Sequence, residues 1–385
     1  MDTFNIKTKV YFNSDALDVL SELKNSNVII FTDPFMEKSG TVEKITRKLS
    51  GCSKVSVFAN IRPDPSIELV AQGLDFLLKN DADIIIALGG GSSIDAAKAV
   101  ILMAKSSGRK DNVKFIAIPT TSGTGSEVTS FSVITDTQQG VKYPLVSPDL
   151  LPDIAILDPE FVKTVPPSIT ADTGFDVITH AIEACISTKA TEFSDALAQK
   201  ALELAFEYLP CAVKNGDNLE ARDKMHKASC LAGMAFDSVS LGINHGIAHA
   251  LGAKFHIPHG RANAMLLPHV IKFNAGISDN FETVSKRFQY SQTAVKLAKI
   301  SKLLGISSSQ NVRISVKSLI DRIKFMEKEA GIPAYLKDAN VSKEDYLAQK
   351  DAIIHSALKD ACTATNPRKA EYSDVEGILS NIAVW

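Results

Sequence analysis

Hydrophobic residues in the first part of the chain fall in short, unbroken runs. Val28–Thr32 (VIIFT) stops at Asp33-Pro34, and Lys54–Ala59, Asp83–Leu88 and Val113–Ile118 follow at intervals. Runs of this length, punctuated by Gly, Pro and Asp, predict strands buried on both faces of a parallel sheet. Between them, Ser66–Lys79 and Ile94–Lys105 carry apolar residues at helical spacing. Phe131–Val146 predicts a hairpin around Asp136–Gly140. Strands and helices in alternation imply an α/β fold, a Rossmann-like parallel sheet with helices on both faces.

The pattern changes at Thr164–Ser168 (TVPPS). Beyond it only helical periodicity is found, over Thr170–Ser187, Phe193–Leu209, Glu220–Phe236 and later segments. The Pro-Pro pair therefore divides the chain into an α/β domain at 1–165 and an all-helical domain at 166–385.

Composition narrows the class without naming it. A chain of 385 residues is long for one core, which agrees with two domains. A net charge of −2 supplies no basic field, so nucleic acid and anionic membranes are not expected partners. No apolar run reaches the ~20 residues of a membrane span. The opening MDTFNIKTKVYFN lacks the apolar core of a secretory signal, so a cytoplasmic protein is expected. The five cysteines are scattered and unpaired in spacing, as reduced thiols are.

Two turns in the first half suit a nucleotide. Gly89-Gly90-Gly91-Ser92-Ser93 lies between a strand and a helix, where backbone N–H groups and a helix N-terminus face a phosphate. Pro119–Glu127 (PTTSGTGSE) offers hydroxyls to a nucleotide's own hydroxyls and phosphates. Asp33, ending the first strand, is placed either to accept from ribose hydroxyls or simply to start a turn before proline. Lys142 on the hairpin's return strand points at cofactor or at solvent.

Candidate metal chemistry lies in the second half. Four of the eight histidines, His245, His249, His256 and His259, fall within Leu241–Gly260. His245 and His249 share a helix face, and so do Asp176 and His180 upstream. His259 follows the break at Ile257-Pro258, as a loop histidine that turns back towards that face. Two helical pairs and one loop histidine supply three imidazoles and a carboxylate for one divalent metal. Spacing alone makes His245 and His249 equally good ligands.

The motifs GGGSSIDAAK (89–98), PTTSGTGSEVT (119–129), TGFDVITHAIEA (173–184), AGMAF (232–236), NHGIAHALG (244–252), PHGRANAMLLPHV (258–270) and DACTATNPR (360–368) occur in this order. Together they resemble the iron-containing (group III) alcohol dehydrogenases, nearly end to end. The resemblance implies a dinucleotide-binding α/β domain followed by an all-helical metal-binding domain. It implies Asp176, His180, His245 and His259 as metal ligands, with His249 beside the nicotinamide as a proton-relay group. Gly90, Gly91 and Ser92 would meet the pyrophosphate with Asp95 beside them. Thr120, Thr121 and Lys142 would contact the cofactor, Asp33 the adenine ribose, and Phe236 and Cys362 would line the substrate pocket.

The implied activity is NAD(H)-dependent interconversion of short-chain aldehydes and primary alcohols with Fe2+, although nitrogen and oxygen donors suit Zn2+ equally. The opening residues and the loop GVKYPLVSPDLLPDIAILDPE most resemble the propanediol-utilisation members, which reduce propionaldehyde to 1-propanol inside a bacterial microcompartment. Relatives acting on ethanol, lactaldehyde, 1,3-propanediol or butanol share nearly all these motifs. Implied partners are a small aldehyde or alcohol, a second copy in a homodimer or larger homo-oligomer, and microcompartment proteins. Zinc glycerol dehydrogenase-type and dehydroquinate synthase-like enzymes share the fold, but TGFDVITHAIEA and DACTATNPR speak against them. A metal-storage protein would not need both nucleotide turns. Cys185 stands where many members carry tyrosine, and a thiol there raises the question of oxidation.

Overall fold

The computed structural model describes residues 3–137, 141–277 and 290–385. The chain forms two compact units, Met1–Val165 with Gly216–Asp237, and Pro166–Asn215 with Ser238–Trp385. The crossing at Val165 coincides with the proline pair. The expected second domain, 166–385, nevertheless gives up one helix, which returns to pack in the first unit. No shift in composition marks that return, because an amphipathic helix reads alike in either place.

The first unit is built on a six-stranded parallel sheet. Its strands are β1 (Lys9–Phe12), β2 (Asn27–Thr32), β3 (Lys54–Phe58), β4 (Ile84–Gly89), β5 (Lys114–Pro119) and β8 (Ile154–Leu157), in the order β1-β8-β5-β4-β2-β3. Strands β6 (Phe131–Asp136) and β7 (Val141–Val146) form the antiparallel hairpin, whose tip at 138–140 lies outside the described residues. The helices of this unit before Val165 are α1 (Pro34–Lys38), α2 (Thr41–Lys48), α3 (Ile67–Lys79) and α4 (Gly91–Ser106).

Period-two alternation sends each strand's side chains to opposite cores. Ile29, Phe31, Ile85, Ala87, Phe115 and Ala117 face α3 and α4, meeting Val70, Leu77 and Val100. Val28, Ile30, Ile84, Ile86, Ile116 and Ile118 face the other way, towards Leu20, Val42 and Ile45. Two-sided burial explains why these strands read as unbroken apolar runs. β1 and β8 were not expected from the pattern. Each is four residues long, and they pair with one another across the length of the unit, Lys9 with Ile154.

Neighbours β2 and β4 lead outward in opposite directions, to β3 and β5. The carboxyl ends of β2 and β4 therefore flank the crevice at which open α/β sheets bind ligands. Asp33 and the glycine turn sit at those two ends.

Helix α7 (Leu219–Val239) supplies the returning segment. The second unit contains α5 (Pro167–Ile186), α6 (Glu192–Lys214), α8 (Ile243–Phe255), α9 (His259–Ala275), α10 (Gln292–Leu303), α11 (Val312–Glu329), α12 (Lys343–Lys359) and α13 (Tyr372–Ile382). Nearly every residue of α5 from Thr170 onward is buried, so it is the core helix of this unit. Helix α6 runs through Pro210 to Lys214 instead of stopping at Leu209, and α9 runs through Pro268. Among the described residues no helix is long and apolar enough to cross a membrane.

Candidate metal centre and nucleotide turn

In the second unit, α5 carries Asp176 and His180 one turn apart, and α8 carries His245. His259 is the first residue of α9 and not a loop residue, because the helix begins directly after Pro258. α9 starts hard against α5: a Cβ on Gly260 would lie 2.1 Å from the Asp172 carbonyl oxygen. Arg261 then locks the two helices with a two-pronged bond to Asp172, at 3.1 and 3.0 Å.

These elements bring one donor atom each from Asp176, His180, His245 and His259 within 4.8 Å of one another. The Asp176 Oδ1 atom lies 3.9, 3.8 and 3.5 Å from the Nε2 atoms of His180, His245 and His259. Three of the four side chains are buried, while His259 is 40% exposed, so the nest opens on the His259 side. The ring of His249 stacks on His259 there, with centroids 5.2 Å apart.

Electrostatics match a cation site. Burial pushes the Asp176 carboxyl up, yet His180, His259 and His245 together outweigh it and hold the group well below the usual carboxylate range. Burial alone would lower His245, but Asp176 and Glu183 raise it to about 9.

Glu183, Asn263 and Asp360 were not singled out in the sequence. Glu183 is buried, accepts from the Asn244 amide at 2.8 Å, and pairs with His245 Nδ1 at 2.6 Å. That bond keeps a ring proton on Nδ1, so Nε2, facing the nest, is the atom a metal would take in exchange for the second proton. Glu183 could have been found, since it follows Asp176 and His180 on the same helix face. The Asn263 amide nitrogen lies 2.8 Å from Asp176 Oδ1 and 3.0 and 3.1 Å from the Nε2 atoms of His245 and His259. Asn244 donates to its oxygen at 2.9 Å and fixes its orientation. Asp360 Oδ2 takes the Nδ1 atom of His249 at 2.9 Å. It has no local signal, because its partner is 111 residues away.

His256 ends α8 in left-handed backbone, φ 54°, and is exposed. His269 is half-buried, and burial lowers it to about 4. Cys185 is buried and its thiol is pushed up to about 12 by that burial, so it is an inert thiol and not an oxidation-prone one. Cys362 is half-buried on the turn after α12, and its thiol is likewise raised.

The nucleotide turn belongs to the first unit. Gly90 caps α4 and Gly91 and Ser92 open it. Gly89 sits at φ +150°, where a Cβ would lie 2.4 Å from Ser93 Oγ, so only glycine fits. Thr120 donates its amide to the Gly89 carbonyl at 3.0 Å, and Thr121 lies against Gly90. Asp33 caps α1, its Oδ1 accepting from Phe35 and Met36 at 2.8 and 3.0 Å, while Oδ2 faces Gly89.

Other expected contacts take a different form. Both Asp95 oxygens are engaged, one by the Ser126 hydroxyl at 2.7 Å and one by the Val133 amide at 3.0 Å, which ties the hydroxyl-rich loop and the hairpin to α4. Lys98, fully buried, clamps the carbonyls of Thr129 and Phe131, both at 2.7 Å. Lys142 pairs with Asp64 at 2.6 Å on the surface. Phe236 is buried in the first unit, its ring 6.3 Å from that of Phe131.

A nucleotide turn on a parallel sheet, with a helical His3Asp nest in a second unit, defines a class of metal-dependent dehydrogenase. The model of the iron-containing alcohol dehydrogenases matches residues 7–159, and that of the C-terminal part of the Fe-containing alcohol dehydrogenase family matches residues 170–383. The chain belongs to the iron-containing alcohol dehydrogenase family. It is 43% identical over 382 residues to the 1-propanol dehydrogenase PduQ of Citrobacter freundii, covering 99% of this chain and 100% of that one. The crystal structure of a 1,3-propanediol oxidoreductase superposes with a TM-score of 0.87 at 32% identity, covering 99% of both chains. A sulfoacetaldehyde reductase from Bifidobacterium kashiwanohense, solved in complex with NAD+, gives 0.84 at 28% identity, covering 100% of this chain and 99% of that one.

Proposed function

We propose that this chain is an NAD(H)-dependent alcohol dehydrogenase that holds one divalent metal, iron by family, on Asp176, His180, His245 and His259, and interconverts propionaldehyde and 1-propanol. The convergence of those four donors in one nest carries the reading. The donor set fits the group: three imidazoles and one carboxylate suit Fe2+ or Zn2+ and leave a coordination position for substrate. When bound, the cation supplies a Lewis acid for the substrate oxygen and the nicotinamide gives or takes a hydride.

The chain's own residues do the rest. Glu183 fixes the tautomer of His245, and Asn263 holds Asp176 in place. His249, with Nδ1 held by Asp360, keeps Nε2 free to take or give the substrate's hydroxyl proton at the open side of the nest. Gly90, Gly91 and Ser92 present the α4 N-terminus to the pyrophosphate, aided by Thr120 and Thr121. Asp95 positions Ser126 beside them, Asp33 accepts from the adenine ribose and disfavours a 2′-phosphate, and Lys142 moves from Asp64 to the cofactor. Cys362, on the turn after α12, bounds the aldehyde.

The substrate assignment rests on the 43% identity and on the loop at 140–160. The same loop supports residence among bacterial microcompartment proteins in the cytoplasm, and the family resemblance supports a homo-oligomer. An NADH oxidation assay with C2 to C4 aldehydes, lactaldehyde and, in reverse, glycerol tests the assignment. Turnover peaking at propionaldehyde is expected, and a peak at lactaldehyde or glycerol would move the chain elsewhere in the family.

A further inference from the structure

Beside the His3Asp nest, the second unit gathers a second donor set of different character. His249 on α8, and Asp360 and Cys362 on the turn after α12, bring one ligand atom each within 4.8 Å of the others. The turn is built to hold them. Asp360 caps the short helix Ala361–Thr365, with Oδ1 accepting from the Cys362 amide at 2.8 Å and Oδ2 left for His249. Thr363 Oγ1 ties the turn to the Ala357 carbonyl at 2.7 Å, and Thr365 Oγ1 ties it to Leu241 at 2.6 Å. Imidazole, carboxylate and thiol are thus prearranged and partly open to solvent, whereas Cys185 and Cys230 are buried.

We propose that His249, Asp360 and Cys362 form a second, weaker site for thiophilic divalent cations, Zn2+ or Cd2+ over Fe2+ or Mg2+, and that its occupation blocks alcohol oxidation. The first nest offers only nitrogen and oxygen, while this one adds sulfur, the donor that separates soft cations from hard ones. Three protein ligands leave a fourth tetrahedral position for water. On binding, the Cys362 S–H bond breaks, an S–metal bond forms, and that proton goes to solvent. The cation replaces the hydrogen bond between His249 Nδ1 and Asp360, the ring proton moving to Nε2. A ring protonated there cannot accept the substrate's proton. The blocking effect rests on the relay assigned to His249, but the site itself does not.

Anaerobic titration of metal-free protein with Cd2+ tests the site without turnover. Wild type should take up two equivalents, a thiolate-to-metal charge-transfer band and the thiol's proton release accompanying only the second. Cys362→Ser and Cys362→Ala should keep the first equivalent, lose the band, and bind the second more than about tenfold more weakly. Asp176→Ala should weaken the first equivalent and retain the band. A single equivalent without a band in wild type would overturn the site, whatever the variants do, and so would a band that persists in both Cys362 variants. Cd2+ added to Fe2+-loaded enzyme should slow alcohol oxidation as the band grows, and a full band with undiminished alcohol oxidation would overturn the blocking effect and, with it, the relay reading.

Discussion

The metal nest and the nucleotide turn solve their binding problems with different parts of the chain. The nest is made of side chains: four donors from three helices, backed by Glu183, Asn263 and Asn244, with mostly buried charges balanced against one another. The turn is made of backbone: a glycine that tolerates no side chain, the N-terminus of α4, and threonines laid against it. A nest of charged groups must be paired and oriented by further polar groups, because unpaired charge inside a protein is costly. A backbone cradle needs only space and a fixed path. The two regions should therefore fail separately and for different reasons.

The largest effect is expected from removing a ligand. Asp176→Ala should abolish tight metal retention, measured by metal analysis after dialysis, and leave NADH affinity, read by fluorescence titration, within about twofold. Loss of both together would contradict the separation.

A buried histidine of the first unit should answer to acid next. His226 of the first unit is buried beside Ser122, and burial lowers it from 6.5 to about 4. The unfolded chain binds a proton between these values that the folded chain excludes. This contribution is therefore present above pH 6.5 and lost as pH falls towards 4, about 3 kcal/mol in all at 1.36 kcal/mol per pH unit. Urea unfolding at pH 7 and pH 4.5 should show the loss, and His226→Leu should flatten it. His245 in the nest goes the other way: raised to about 9, it keeps its proton through this range.

Glu183→Gln keeps the shape of the nest but removes the charge behind His245. Metal affinity should drop about 10–100-fold with NADH binding intact. An unchanged affinity would make Glu183 a packing residue. The mirror experiment is Gly89→Ala, which places a Cβ against Ser93 at a φ that L residues rarely adopt. The strain, about 1–3 kcal/mol, should weaken NADH by about tenfold or more and leave metal content unchanged. The smallest effect on stability is expected from Lys142→Ala, under about 1 kcal/mol, because its bond to Asp64 is a surface pair. If NADH affinity falls tenfold all the same, Lys142 reaches the cofactor as the family resemblance implies.

How legible each region was in the sequence follows from the same contrast. Asp176, His180 and His245 announce themselves by residue type and helical spacing, and Glu183 stood in the same FDVITHAIE stretch as the next residue on that face. Asn263 has a weaker signal, four residues after His259, and an amide near histidines has many uses. Asp360 could not be read locally. In the first unit the long buried strands were legible as apolar runs, while β1 and β8 were too short to show a period. The return of α7 to the first unit left no mark. Proline was overread at Pro210, which sits inside a helix whose packing outweighs the lost hydrogen bond. For Lys142 and Asp33 the sequence left two readings, and the structure finds one in a surface ion pair and the other at a helix cap.

The most direct test of the central claim is to return Fe2+ anaerobically to metal-free protein while following propionaldehyde-dependent NADH oxidation. The rate should rise linearly to one equivalent of metal per chain and then level off, with none of that rise in Asp176→Ala. Turnover that is already full without metal, or tight NADH binding with no turnover at any metal loading, would contradict the account.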